Sequence, residues 1–268
     1  MTTGQVSDRF ARGQARLEEI SGQDAQAFTE SLRDIAPDLA RYVVEFAYGD
    51  VHSRPGLNAA DRQLAVLGAL VAQGDTQEQV RRQTGIALHV GLEPRQVVEA
   101  VTHLILVVGI PRVLNALVAV RAAIEERGLK ADPIEVGANT ERQRDRYAYG
   151  EARLRQIAGD DGVTVIRALD PIAPDLGRYI VEFAWGEVYD RPGISVRERQ
   201  LATLGAMIGF GDTPKQQKTH FKIALRQGLT PEELVELVIQ VAPKAGFPRV
   251  LNALAGLREV LDERGLTV

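Results

Sequence analysis

Residues 62–76 read RQLAVLGALVAQGDT, and Leu64, Val66, Leu67, Leu70 and Val71 leave no wide polar face. That pattern predicts a helix buried all round, the centre of its unit. It returns as RQLATLGAMIGFGDT at 199–213. Gly74 stops the first copy, and Thr76 with Gln79 predicts a capping box on the next helix, repeated by Thr213 and Gln216. Upstream, 8–20 reads as a short amphipathic helix, and Asp38 predicts the cap of a helix through Val51 that Arg54-Pro55-Gly56 ends. Asn58 predicts the cap of the central helix, and the helix from Thr76 runs to Gly91. Glu93-Pro94 and Thr230-Pro231-Glu232-Glu233 open another helix, with proline suited to its first position. The last begins near Pro111 or Pro248 and ends at Gly128 or Gly265. No stretch alternates as a strand, so the expected class is all-α, with six or seven helices per unit.

The unit is written twice. DRFARGQARL at 8–17 matches DRYAYGEARL at 145–154, IAPDLARYVVEFAYGDVHSRPG at 35–56 matches IAPDLGRYIVEFAWGEVYDRPG at 172–193, and GIPRVLNAL at 109–117 matches GFPRVLNAL at 246–254. The offset is 137 throughout, without a gap. A whole-unit duplication follows, 8–129 and 145–266, joined by a polar linker at 130–144 that contains Pro and Gly.

Composition narrows the chemistry. Apolar residues make up 45%, ample for a core, and 32 basic minus 36 acidic residues give −4 with no basic run. Nucleic acid and membrane surfaces are therefore not expected partners. Cysteine is absent, which excludes disulfides, thiol catalysis and thiolate metal sites. MTTGQVSDRF has no apolar signal core and no run reaches membrane length, so a cytoplasmic location is expected.

Positions where the copies differ are the informative ones. His220 faces Gln83, His103 faces Gln240, His52 faces Tyr189, and Lys244 faces Val107. Two pseudo-equivalent pockets with unequal polar content are expected. His220 is either an ordinary hydrogen-bonded helix histidine or a proton-transfer group near neutral pH. His103, in an apolar helix, reads as a satisfied core histidine. No histidine pair has metal spacing, so no metal is expected. Lys244 follows Pro243, where a kink is expected, and either snorkels to solvent, binds a carboxylate or acts as an amine nucleophile. Glu182, Trp185 and Tyr189 lie at i, i+3 and i+7, repeated by Glu45, Tyr48 and His52. At α-helical spacing this is a surface stripe or a pocket wall that holds a carboxylate beside aromatic rings. Arg54, Arg191, Arg112 and Arg249 are common surface residues or clamps for an acidic substrate.

EFAWGEVYDRPGI, the central RQLATLGAMIGFGDT, THFKIALRQGLTPEEL and GFPRVLNAL, in that order, resemble the carboxymuconolactone decarboxylase family, over almost the whole chain and twice. DRYAYGEARLRQIAG resembles the lead-in of the γ-carboxymuconolactone decarboxylases. The resemblance implies an all-α fold shared with alkylhydroperoxidase D-like proteins, here as two units related by a pseudo-twofold. Those relatives use a Cys-x-x-Cys pair and a histidine. Asp212 and Lys215 stand near the cysteine positions, so peroxidase chemistry is not expected. His220 matches the family histidine, and Gln83 is its loss. His103 matches a second histidine, replaced by Gln240, and Lys244 and Val107 both depart from an expected tyrosine.

The implied reaction is loss of CO2 from a small unsaturated lactone acid with movement of the double bond. The conjugated carbonyl accepts the electrons, so no cofactor is needed. His220, with His103 as its rival and Glu182 as a partner, is the expected acid–base group. Trp185, Tyr189, Arg191, Lys244 and Arg249 are the expected substrate contacts. A tailoring enzyme acting on a larger cyclic substrate and a non-catalytic ligand-binding or scaffold protein are the alternatives. Assembly is expected as a homotrimer carrying six units, with the two central helices near the pseudo-twofold axis.

Overall fold

The computed structural model describes residues 8–22, 25–132 and 145–268. Residues 133–144 of the expected linker lie outside them. The first unit runs through α1 (Asp8–Ser21), α2 (Ala25–Glu30), α3 (Pro37–Tyr42), a π-helical segment π1 (Val43–His52), α4 (Ala59–Gln73), α5 (Gln77–His89), α6 (Pro94–His103), α7 (Ile105–Val108) and α8 (Ile110–Glu126). The second repeats it as α9 (Arg146–Arg167), α10 (Pro174–Tyr179), π2 (Ile180–Val188), α11 (Val196–Phe210), α12 (Pro214–Arg226), α13 (Pro231–Ala245) and α14 (Phe247–Arg264). No strand occurs among the described residues. α9 spans the counterparts of both α1 and α2, bending at Gly159.

The all-apolar helices sit where their pattern puts them. Every residue of α4 from Asp61 to Ala72 is buried, and so is every residue of α11 from Arg199 to Gly209. They pack on each other along the pseudo-twofold, and one core runs through both units around them. The crossing needs glycine. A Cβ on Gly68 would lie 2.0 Å from the Ala202 carbonyl oxygen, and one on Gly205 2.0 Å from that of Ala65. Only a residue without a side chain lets the backbones approach this closely. Burying two apolar helices on each other is the main stabilising contribution here.

Several ends behave as expected. Asn58 accepts from the Asp61 amide, Gly74 closes α4 at φ 93°, and capping boxes form at Glu93/Gln96 and Thr230/Glu233. Others do not. Ala36, not Asp38, precedes α3, and Asp38 pairs with Arg41. Thr76 and Thr213 cap nothing with their side chains; Thr76 Oγ1 donates back to the Leu70 carbonyl at 2.6 Å. α13 runs through Pro243 to Ala245.

Reciprocal ion pairs fasten the units together. Arg54 Nε and Nη2 donate to Glu236 at 3.0 and 2.7 Å, and Arg191 Nε and Nη2 donate to Glu99 at 2.7 Å each. Behind each lies a fully buried arginine. Arg62 donates to the carbonyls of Leu57, Arg54 and Pro55 and to Glu236, so it ties down the loop before α4. Arg199 donates likewise to the Arg191 carbonyl. Fixed donor geometry suits arginine to such buried, multiply bonded positions.

Candidate active site

Each interface between the units encloses a cavity, and the two have diverged. The larger, about 610 Å³, is lined mainly by π2, α11 and α12 of the second unit. Its remaining wall is His103 and Ile105–Val107 of the first. Phe183, Ala184, Trp185 and Met207 make most of it apolar. The polar groups are His220, His103, Tyr179, Tyr189, Thr203 and Gln216. Among the described residues neither Arg nor Lys lines it.

The hydrogen bonds fix how these groups face the cavity. Gln200, on α11, donates its amide to the Tyr189 hydroxyl at 3.0 Å, which turns its carbonyl oxygen to His220 Nδ1 at 2.8 Å. With the amide so placed, Nδ1–H donates and His220 Nε2 is left as an acceptor. At His103 the order reverses. Arg199 Nη1 lies 3.3 Å from His103 Nδ1. A guanidinium only donates, so Nδ1 accepts and Nε2–H is the donor. The cavity thus holds two imidazoles of opposite tautomer, one from each unit. Burial pushes His220 down to about 4. Burial first, then the Arg199 and His220 charges, pushes His103 well below its ordinary value. Burial pushes Tyr189 up to about 12. Both imidazoles are therefore neutral and the phenol protonated at pH 7. Tyr189 stacks on Trp185 at 4.3 Å and meets His103 edge-on at 4.6 Å. The buried Thr203 hydroxyl has no hydrogen-bond partner among the described residues.

Of the sequence-predicted residues, the structure brings His220, His103, Trp185 and Tyr189 into this cavity. Glu182 does not join them; its side chain turns to Arg178 at 3.6 Å. The i, i+3, i+7 stripe requires α-helical turns, whereas π2 closes i→i+5 bonds and each turn is wider. Residues three apart then lie further round the helix, so Glu182 rotates away from Trp185, while residues four apart stay aligned, as Trp185 with Tyr189 and Tyr48 with His52. Arg191 is held by Glu99 and does not reach the cavity. Arg249 donates to the Gly209 carbonyl and lies against a separate depression with Thr213 and Lys218. Lys244 belongs to the other cavity. No cationic mouth forms around His220, because α13 supplies its residues to the opposite interface. Gln200, Thr203 and Gln216 were missed. The available signal was the Arg-Gln pair that opens both buried central helices, polar side chains in an apolar run at the same offset.

The second cavity, about 310 Å³, uses the equivalent surfaces of the first unit plus Lys244. Tyr48, Gln79, Arg82, Gln83 and Lys244 are its polar groups. Gln83 takes the place of His220 and donates to Gln63, the counterpart of Gln200. Gln240 takes the place of His103. It accepts from Arg62 at 2.9 Å and donates to His52 at 2.8 Å. Burial, then the Lys244, Arg62 and Arg16 charges, pushes His52 down to about 3.

Two helical units, with two buried histidines facing one apolar cavity between them, define a duplicated all-α protein. The profile of the carboxymuconolactone decarboxylase family matches residues 37–122 and again 174–259, and the chain belongs to that family. A curated 4-carboxymuconolactone decarboxylase of Acinetobacter baylyi is 29% identical over 122 residues, 45% of this chain and 90% of that protein. The nitrosuccinic acid decarboxylase of Metarhizium robertsii is 28% identical over 126 residues, 47% of this chain and 87% of that one. Both are single-unit proteins against this fused pair. Among solved structures, one assigned as a gamma-carboxymuconolactone decarboxylase subunit from Burkholderia xenovorans superposes with a TM-score of 0.58 at 23% identity. The match covers 97% of this chain and all of that one, so the likeness is one of fold. Among the described residues no group of three or more metal-ligating side chains occurs, and no helix is long and apolar enough to cross a membrane.

Proposed function

We propose that the chain is a cofactor-independent carboxy-lyase acting on an unsaturated cyclic acid in the larger cavity. The observation that carries the reading is the pair of neutral histidines of opposite tautomer facing one apolar space. His220 Nε2 takes the proton of the substrate carboxylic acid. The C–CO2 bond then breaks, and its electron pair passes into the conjugated carbonyl. His103 Nε2–H and the protonated Tyr189 hydroxyl donate to the developing enolate oxygen. The imidazolium of His220 returns the proton to carbon as the double bond moves. The net change is RCOOH to RH and CO2, and the histidine is regenerated. An apolar wall raises the energy of the carboxylate relative to the spreading charge of the transition state.

The Acinetobacter baylyi relative supports a carboxymuconolactone-like substrate. The absence of Arg and Lys from the cavity wall, together with its size, favours a larger and more apolar cyclic acid, as in a tailoring reaction. Turnover of γ-carboxymuconolactone, followed by ultraviolet absorbance and CO2 release, is compared with that of larger cyclic unsaturated acids. Activity on any of them that survives EDTA supports the reading. Ligand-dependent melting with no CO2 from any substrate would leave a binding protein instead.

A further inference from the structure

Duplication has placed two cations where the first unit's cavity would otherwise be neutral. Lys244 and Arg82 both line it; their sequence counterparts are Val107, which lines the histidine cavity, and Thr219, which does not. The exchange is systematic. The histidine cavity carries His220 where the other carries Gln83, and the cations run the opposite way. Lys244 is half-buried, and its ammonium forms no ion pair with any carboxylate among the described residues. Among the described residues no Asp or Glu lines this cavity. Leu17, Phe28, Val43, Leu70 and Ile86 form apolar walls, and Tyr48, Gln79 and Gln83 supply hydrogen-bonding groups. Burial, then the Arg82 charge, pushes Lys244 down, and an anion beside its ammonium would offset both. At about 310 Å³ the space is at the small end of ligand pockets, which run from roughly 300 to 1,000 Å³.

We infer that the first unit's cavity is a second ligand site, separate from the histidine cavity, that binds a small organic acid with its carboxylate between Lys244 and Arg82 and its carbon skeleton against the Leu17, Phe28 and Ile86 wall. The inference does not rest on the decarboxylase reading, since none of these residues touches the histidine cavity.

Succinate and benzoate are the probes, with succinamide and benzamide as neutral isosteres, read by calorimetry and thermal melting. The single tryptophan, Trp185, lies in the histidine cavity and reports on that site alone. At least one acid is expected to bind and raise Tm while its amide does not, with Trp185 emission unchanged at saturation. Lys244→Val and Arg82→Thr each copy the residue of the opposite unit, so both have a precedent in this fold. Each is expected to weaken binding about 10- to 100-fold, the loss of one charge-assisted hydrogen bond. His220→Gln is expected to leave the affinity unchanged. The inference is overturned if neither acid binds at tens of millimolar, or if the amides or sulfate act as well as the acids. It is also overturned if Lys244→Val and Arg82→Thr leave the affinity intact, or if binding quenches Trp185 and is lost in His220→Gln. Absence of CO2 release from every substrate would defeat the decarboxylase reading and leave this result standing.

Discussion

His220→Gln separates chemistry from folding because the molecule already contains the variant. In the first unit Gln83 occupies this position and donates to Gln63, as His220 does to Gln200 at 2.8 Å. The substituted glutamine inherits that bond, so stability at pH 7 should change by no more than about 1 kcal/mol, the worth of one adjusted hydrogen bond. Glutamine cannot carry a proton from oxygen to carbon, and general acid–base help is worth about 10²–10⁴ in rate. Expected, then, is a fall in kcat of that size with Tm nearly unchanged. Acid unfolding supplies a second measure. The histidine is held at about 4 in the fold against an ordinary 6.5. Above pH 6.5 neither state is charged, so the histidine costs nothing. As pH falls towards 4 the unfolded chain binds a proton that the fold does not, and stability is lost across that window. At roughly 1.4 kcal/mol per unit the loss is at most about 3 kcal/mol, less for a half-buried ring. The variant should show a flatter stability profile between pH 6.5 and 4, measured by urea unfolding. Unchanged kcat in His220→Gln, with turnover abolished by His103→Gln alone, would refute the role given to His220.

Thr203→Val copies Val66 and removes a buried hydroxyl that has no partner among the described residues. It should raise stability by about 1 kcal/mol while raising KM, read by melting and steady-state kinetics, and a lower Tm with unchanged KM would contradict the assignment. Gly68→Ala sets a Cβ 2.0 Å from the Ala202 carbonyl oxygen, so a loss of at least about 3 kcal/mol or no soluble protein is expected on denaturant unfolding. Leu39, Tyr42, Ile110 and Leu114 are exposed apolar residues, and so are their counterparts Leu176, Tyr179, Phe247 and Leu251. On that surface we predict a homotrimer of six units, and a monomer mass by light scattering across micromolar concentrations would rule it out.

What the sequence could show depended on whether a feature is local. The repeat and the buried central helices are visible because apolar residues follow one another along the chain. The caps at Asn58 and Thr230 are visible because their partners lie three residues away. The π segments were not visible. Nothing in VVEFAYGDVH marks an i→i+5 ladder, and the α-helical period then put Glu182 on the wrong face. Nor was the assignment of side chains to cavities. Lys244 and Arg249 are near neighbours in sequence, yet α13 contributes Lys244 to the opposite interface while Arg249 caps the end of α11. His103 and His220 meet only because the units exchange walls across the axis, a relation that no single-chain periodicity encodes.

That exchange of walls has an evolutionary consequence. In an assembly of identical single units, any substitution appears in every cavity, so a site cannot gain a lysine without also giving it to its twin. Here each cavity reads one wall from each half of the gene, and a codon changed in one half alters one cavity alone. Fusion therefore converts a symmetric pair into two loci that mutate independently while the shared helix crossing at Gly68 and Gly205 holds their geometry in common. Selection can keep one as a reaction vessel and retune the other for a different guest.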